Sequence, residues 1–187
     1  MPKLIKLQGQ GSEGMTARWA EDEFVFVPDE EPIPATGDIV VTMGRLLGEG
    51  DALLSSGRRI GVRLQPHEQI EGLAYDLPQL AVVQLVFTKF RDGRPYSNAR
   101  ILRGRLEYRG EVRAMGDVLR EQALHLTRCG FDSFEPADGS TPEEWVAAAH
   151  RYRHVYQRGA DDRLPIFVER DLIASGLGHN HPDEVEA

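Results

Sequence analysis

From Asp38 onward the chain alternates between two rhythms. Short β-branched or continuous apolar runs give way to stretches in which apolar residues recur every three or four positions. The first rhythm predicts strands and the second predicts helices. DIVVTM reads as a strand, and MGRLLGEGDALLSSG as a helix carrying Leu46, Leu47, Leu53 and Leu54 between interior glycines. RRIGVRL (58–64) is the next strand. PHEQIEGLAYDL opens on Pro66, a favoured first-turn residue, and sets Ile70, Leu73 and Leu77 at helical spacing. LAVVQLVF (80–87) is nearly all apolar, the pattern of a parallel strand buried on both faces. YSNARILRGRL reads as a helix and GEVRAMG (110–116) as a fourth strand. DVLREQALHLTRCG predicts a helix from an Asp117 N-cap to Gly130. FDSFEP is a fifth short strand. GSTPEEWVAAAHRYRHVYQRG announces a helix with Thr141, Pro142 and Glu144, a capping-box pattern.

Strand and helix thus alternate five times. That order predicts an α/β fold with a mostly parallel sheet, either open or curled into a partial β/α barrel. Residues 1–36 differ in character. KLIKL and EFVFV are short strand-like runs joined by the glycine-rich QGQGSEG, and PDEEPIPATG has a linker's composition. The expected organisation is a small N-terminal β segment and linker (1–36), an α/β core (37–178) and a flexible tail (179–187).

Charge sharpens this picture. The chain carries a net −8, which argues against non-specific binding to nucleic acid or to an anionic membrane surface. Yet residues 89–120 hold nine cations against four acids, a local net of +5. Eight of the nine are arginines, whose planar fork suits bidentate oxyanions. A basic island in an acidic chain suggests an anion site or a dock for an acidic partner. Ligands of parallel α/β folds gather at the carboxyl ends of strands, and the richest such loop follows LAVVQLVF. The candidate set is Lys89, Arg91, Arg94, Tyr96, Arg100, Arg103, Arg113 and Asp117. The arginines would supply charge and Tyr96 a hydroxyl, while Asp117 would fix an arginine or cap its helix. The competing reading is a solvated helix whose arginines pair with Asp92, Glu107 and Glu111.

Other chemistry is sparse. The single cysteine, Cys129, allows no internal disulfide and no thiolate-bound iron–sulfur cluster. It reads first as a small packed hydrophobe and second as a redox centre. His150 and His154 stand four apart, a spacing that can bind metal on a helix, but no third ligand is evident, so no metal is expected. Lys89 is a catalytic amine only if desolvated. There is no phosphate-binding glycine motif, no apolar leader in MPKLIKLQGQ and no run long enough to span a membrane, so the expectation is a cytoplasmic protein.

Three segments, FTKFRDGRPYSNARILR, YRGEVRAMGDVLREQ and LTRCGFDSFE, resemble bacterial domain-of-unknown-function family 934, over a span from about Asp38 to Arg170. Its members are typically encoded beside assimilatory sulfite reductase and adenylylsulfate reductase, and are labelled as oxidoreductases of sulfite reduction. The resemblance implies an accessory protein of that pathway, which binds a small oxyanion or docks to one of the reductases. The alternatives are an oxidoreductase with a bound flavin or a redox-active Cys129, and a non-catalytic scaffold. The family supplies no catalytic residues to carry over, and the cofactor stays open.

Overall fold

The computed structural model describes residues 3–9 and 14–176. Among these residues eight strands form one sheet: β1 (Lys3–Gln8), β2 (Thr16–Glu21), β3 (Phe24–Val27), β4 (Asp38–Thr42), β5 (Ile60–Leu64), β6 (Leu80–Phe87), β7 (Glu111–Gly116) and β8 (Ser133–Phe134). Their spatial order is β2-β1-β8-β7-β6-β5-β4-β3. Strands β3 to β8 run parallel in sequence order, whereas β1 is antiparallel to both β8 and β2. The segment 1–36 therefore supplies three strands to the same sheet that 37–178 builds. Only Asp22 and Glu23 separate β2 from β3, which are the two outermost strands. A flat sheet would hold those edges about 34 Å apart, but three virtual bonds from Glu21 to Phe24 reach at most about 11 Å. The sheet must therefore curl, and it forms a half-barrel.

The helices α1 (Met43–Leu54), α2 (Arg94–Gly104), α3 (Ala123–Cys129) and α4 (Pro142–Ala149) pack on the outer face. There Ile39, Val41, Val62, Leu85, Val112, Ala114 and Phe134 of the strands meet Leu46, Leu53, Ala99, Leu102, Leu126 and Trp145 of the helices. The indole of Trp145 stacks on Phe134 at 4.4 Å and donates to Ser140 Oγ at 2.8 Å, so its one polar atom is satisfied in the core. Thr141 and Glu144 form the expected capping box on α4, with Glu144 Oε2 accepting from the Thr141 N–H at 2.8 Å. The expected linker is held by arginines: Arg45 donates to the carbonyls of Pro28 and Glu31, and Arg58 to that of Pro34.

Several elements differ from expectation. PHEQIEGLAYDL forms no α-helix but two 3-10 turns, Ile70–Leu73 and Leu77–Gln79. Pro78 lacks a helical N–H, and Gly72 sits so close beneath Met43 that a Cβ there would lie 2.9 Å from Met43 Cε. Ile70, Leu73 and Leu77 are buried all the same. Asp117 does not cap a helix. A 3-10 turn (Arg120–Gln122) leads into α3, and the Asp117 carboxylate instead accepts from the Phe90 N–H at 2.8 Å. Gly130 ends α3 in the left-handed region at φ 96°, as expected. Helix α4 stops at Ala149, so the 150/154 pair is not on one helical face; His154 Nδ1 lies 3.0 Å from Glu169 instead. Strand β2 and helix α5 (Ile166–Ala174) were not anticipated. The tail 179–187 lies outside the described residues. Among the described residues no helix is long and apolar enough to cross a membrane.

Gly61 marks the tightest point of the sheet. A Cβ there would stand 2.3 Å from Val82 Cγ1 and 2.9 Å from the Val82 carbonyl oxygen. Gly61→Ala is expected to lose about 1–3 kcal/mol of stability by overpacking. A urea titration followed by circular dichroism checks this.

Candidate functional site

Residues two apart in a strand share a face, and parallel register extends that face from strand to strand. On the face away from the helices, register aligns Lys6, Ser133, Arg113, Gln84, Arg63 and Thr42 in one row across β1, β8, β7, β6, β5 and β4. This is the concave face, because Asp22 of the link between the edge strands reaches across it to Arg113. Arg113 is fully buried. Its Nη1 lies 2.8 Å from Asp22 Oδ1 and its Nε donates to Glu111 Oε1 at 2.8 Å. Glu111 also accepts from Lys6 Nζ at 2.9 Å and Ser133 Oγ at 2.6 Å. Two cations and two carboxylates thus close into a neutral knot, which is what lets them stay charged away from water. Burial alone would raise the Glu111 pKa, but Arg113, Ser133 and Lys6 together outweigh it and hold the carboxyl below its ordinary value.

Arg63 sits two strands from Arg113 in the same row. Its guanidinium lies 3.6 Å from the centre of the Phe26 ring, and its Nε donates to Gln84 Oε1 at 2.9 Å. No carboxylate comes within ion-pair distance of it among the described residues. Burial lowers its pKa, with Glu135 and Asp22 acting in the opposite direction.

A second place stands out at the opposite, amino-terminal end of the parallel strands. A cleft of about 490 Å³ is lined by Arg100, Arg103, Arg109, Gly130, Asp132 and Asp161, among others. Arg103 is locked in place. Nε donates to the Gly130 carbonyl at 3.0 Å, Nη1 to the carbonyls of Tyr108 and Gly110 at 2.7 and 2.9 Å, and Nη2 to Asp132. Asp132 in turn accepts from the Val112 N–H at 2.7 Å. Burial raises the Asp132 pKa against the pull of Arg103. Arg100 and Arg109 are exposed and make no hydrogen bond or ion pair with any described residue.

The structure distributes the eight candidate residues over three places. Lys89, Arg91, Arg94 and Asp117 lie at the carboxyl ends of β6 and β7, with Tyr96 packed beneath against Phe87 and Phe131. Arg94 is paired with Asp92 at 2.6 Å, and that hydrogen bond takes the Asp92 pKa down to about 2. The Tyr96 hydroxyl accepts from Gln122 Nε2 at 3.0 Å. Arg100 and Arg103 line the cleft at the other end of the sheet, and Arg113 lies within the concave face. Along α2 the rise of 1.5 Å per residue separates Arg94 from Arg103 by about 14 Å, and each is held by its own partners, Arg94 by Asp92 and Arg103 at the cleft, so the two do not converge on one anion. Sequence reasoning did not anticipate Lys6, Asp22, Arg63, Gln84 or Arg109. A signal for the row was present: Val62-Arg63-Leu64, Val83-Gln84-Leu85 and Val112-Arg113-Ala114 each place one polar residue between two apolar ones, in three neighbouring strands. Among the described residues no cluster of three His, Cys, Asp or Glu side chains is arranged to hold a metal.

The family model described as bacterial protein of unknown function (DUF934) matches residues 61–167, more than half of the chain. The chain belongs to this family. The matched span holds strands β5 to β8, the cleft arginines and four of the six residues of the concave row, Arg63, Gln84, Arg113 and Ser133. No curated protein matches the sequence.

Removing Arg113 strands Asp22 and Glu111 inside the curl. Arg113→Met is expected to cost about 3–5 kcal/mol, and Asp22→Asn added to it recovers part of that loss; chemical denaturation of the two variants checks both. Because the folded-state pKa of Glu111 is lowered, its contribution is complete above the ordinary carboxylate range and is lost as pH falls through the folded value. Carbon-13 NMR titration should find Glu111 titrating below 4.5, and Asp132 above 3.8.

Proposed function

We propose that this protein is an accessory factor of assimilatory sulfite reduction that binds a small oxyanion in the cleft between Arg100, Arg103 and Arg109. One observation carries the reading. Arg100 and Arg109 face a cleft of about 490 Å³ with no carboxylate partner among the described residues, beside an Arg103 fixed by four acceptors. Unspent guanidinium donors around a cleft offer a tetrahedral oxyanion charge from several directions. The resemblance drawn from the basic segments points to sulfite or sulfate as that anion. A redox role for Cys129 has less support, since burial pushes its thiol pKa up and thiolate is the reactive form. Docking to a reductase is a second reading, favoured by Phe90, 41% exposed between Lys89 and Arg91 on the β6–α2 loop.

Isothermal titration with sodium sulfite and sodium sulfate tests the cleft. Each lost charge-assisted contact is worth about tenfold in affinity, so Arg100→Glu with Arg109→Glu is expected to abolish measurable binding while the circular dichroism spectrum stays native. Unchanged binding in that variant overturns the assignment. In cells, a deletion strain is expected to fail on sulfate and sulfite and to grow on sulfide.

A further inference from the structure

We infer that the concave face carries a second anion site, separate from the cleft, in which Arg63 receives the carboxylate of a small organic acid. Arg63 is an arginine held ready. Phe26 covers one face of its guanidinium at 3.6 Å, and Gln84 Oε1 takes its Nε–H at 2.9 Å. An arginine side chain is only a donor, so this bond fixes the Gln84 amide with its oxygen toward Arg63. Neither terminal nitrogen of Arg63 makes a hydrogen bond with any described residue, and neither is sealed from solvent. The Gln84 amide nitrogen is likewise without a hydrogen bond among the described residues. The guanidinium edge left open carries two parallel N–H groups, the geometry that a carboxylate meets with both oxygens.

The surroundings select the anion. Toward the carboxyl ends of the strands, the next pair on this face is Val86 and Met115. Beyond Arg113, Ser133 is followed on the same face by Glu135, whose charge acts on Arg63 without coming within ion-pair distance. A tetrahedral oxyanion bound by the Arg63 fork would find one further donor, the Gln84 amide nitrogen, and would set its remaining oxygens against apolar side chains and near a carboxylate. A carboxylate spends both its oxygens on the fork and presents its organic body to Val86 and Met115. The two arginine sites thus differ in kind: the cleft offers charge from several sides, and the concave face offers one flat fork beside an apolar floor. The position agrees with the tendency of parallel α/β folds to bind ligands at the carboxyl ends of their strands.

Sodium benzoate is the probe, with sodium sulfate as the comparison. In nitrogen-15 NMR of the full chain, the Arg63 Nε–H resonance is expected to shift saturably with benzoate and to stay in place with sulfate. Arg63→Gln is expected to weaken benzoate binding by about tenfold or more, whereas Arg100→Glu with Arg109→Glu leaves it unchanged. Benzoate binding lost only in the cleft variant, an Arg63 resonance that does not move, or equal movement with sulfate would each overturn the assignment. The wild-type NMR titration decides the matter even if Arg63→Gln fails to fold. Sulfite binding to the cleft is read out independently, so failure at one site leaves the other standing.

Discussion

The pairing of Arg113 with Asp22 is the interaction on which the shape of the molecule depends. Asp22 belongs to a two-residue link, and Arg113 to a strand in the middle of the sheet. Joining them draws the link across the concave face and fixes how far the sheet curls. Glu23, the other residue of the link, pairs with Arg59 at 2.8 Å, and Arg59 also holds Asp38. The inner pair is the stronger constraint, because it is sealed from water. Surface pairs such as Arg59–Glu23 contribute little on their own. Once the curl is set, the apolar outer face must be covered by helices, and the polar row turns inward.

The sheet therefore has two chemically distinct ends. The amino ends of β7 and β8 open onto a cleft with arginines on its walls, whereas toward the carboxyl ends of β5 to β7 the concave face sets the supported Arg63 near Val86 and Met115, below the loop that carries Lys89, Arg91 and Arg94. The dense positive charge of residues 89–120 in the sequence is spread over both ends and the interior. Strand and helix directions separate residues that lie close in the chain, and this is why a basic island in sequence is not one site in space.

What could be read from the sequence follows from how strongly each segment was patterned. Strand β6 was legible to the residue, because eight mostly apolar positions bounded by turn signals leave no other reading. Helix α4 was legible at its start, where Thr141 and Glu144 cap each other, but not at its end, where no glycine or proline stops it. Strand β2, TARWAE, alternates too weakly to be seen. It is an edge strand, and its side chains are mostly half-buried or exposed. The 66–79 segment has helical spacing of its apolar residues, yet Gly72 beneath Met43 and Pro78 turn it into 3-10 structure, a tertiary override of a local pattern. The polar row of the concave face was hidden for a different reason. Arg63, Gln84 and Arg113 are far apart in the chain, and only the register of three parallel strands makes them neighbours.

The place of β1 between β2 and β8 has a consequence for how the chain assembles. Among the described residues the first strand hydrogen-bonds to the last, with Lys6 opposite Ser133. A chain emerging from the ribosome amino end first must hold β1 and its hairpin partner β2 in waiting until more than a hundred further residues have appeared. Contacts so remote in sequence form late, after the loop-closure entropy between them has been met. The β3-to-β7 portion can stack strand by strand as it emerges, since each strand pairs with the one made just before it. Docking of the β1–β2 hairpin is then the closing event of folding, and until it happens β8 exposes an unpaired edge. That interval is when nascent chains are most open to mispairing with one another.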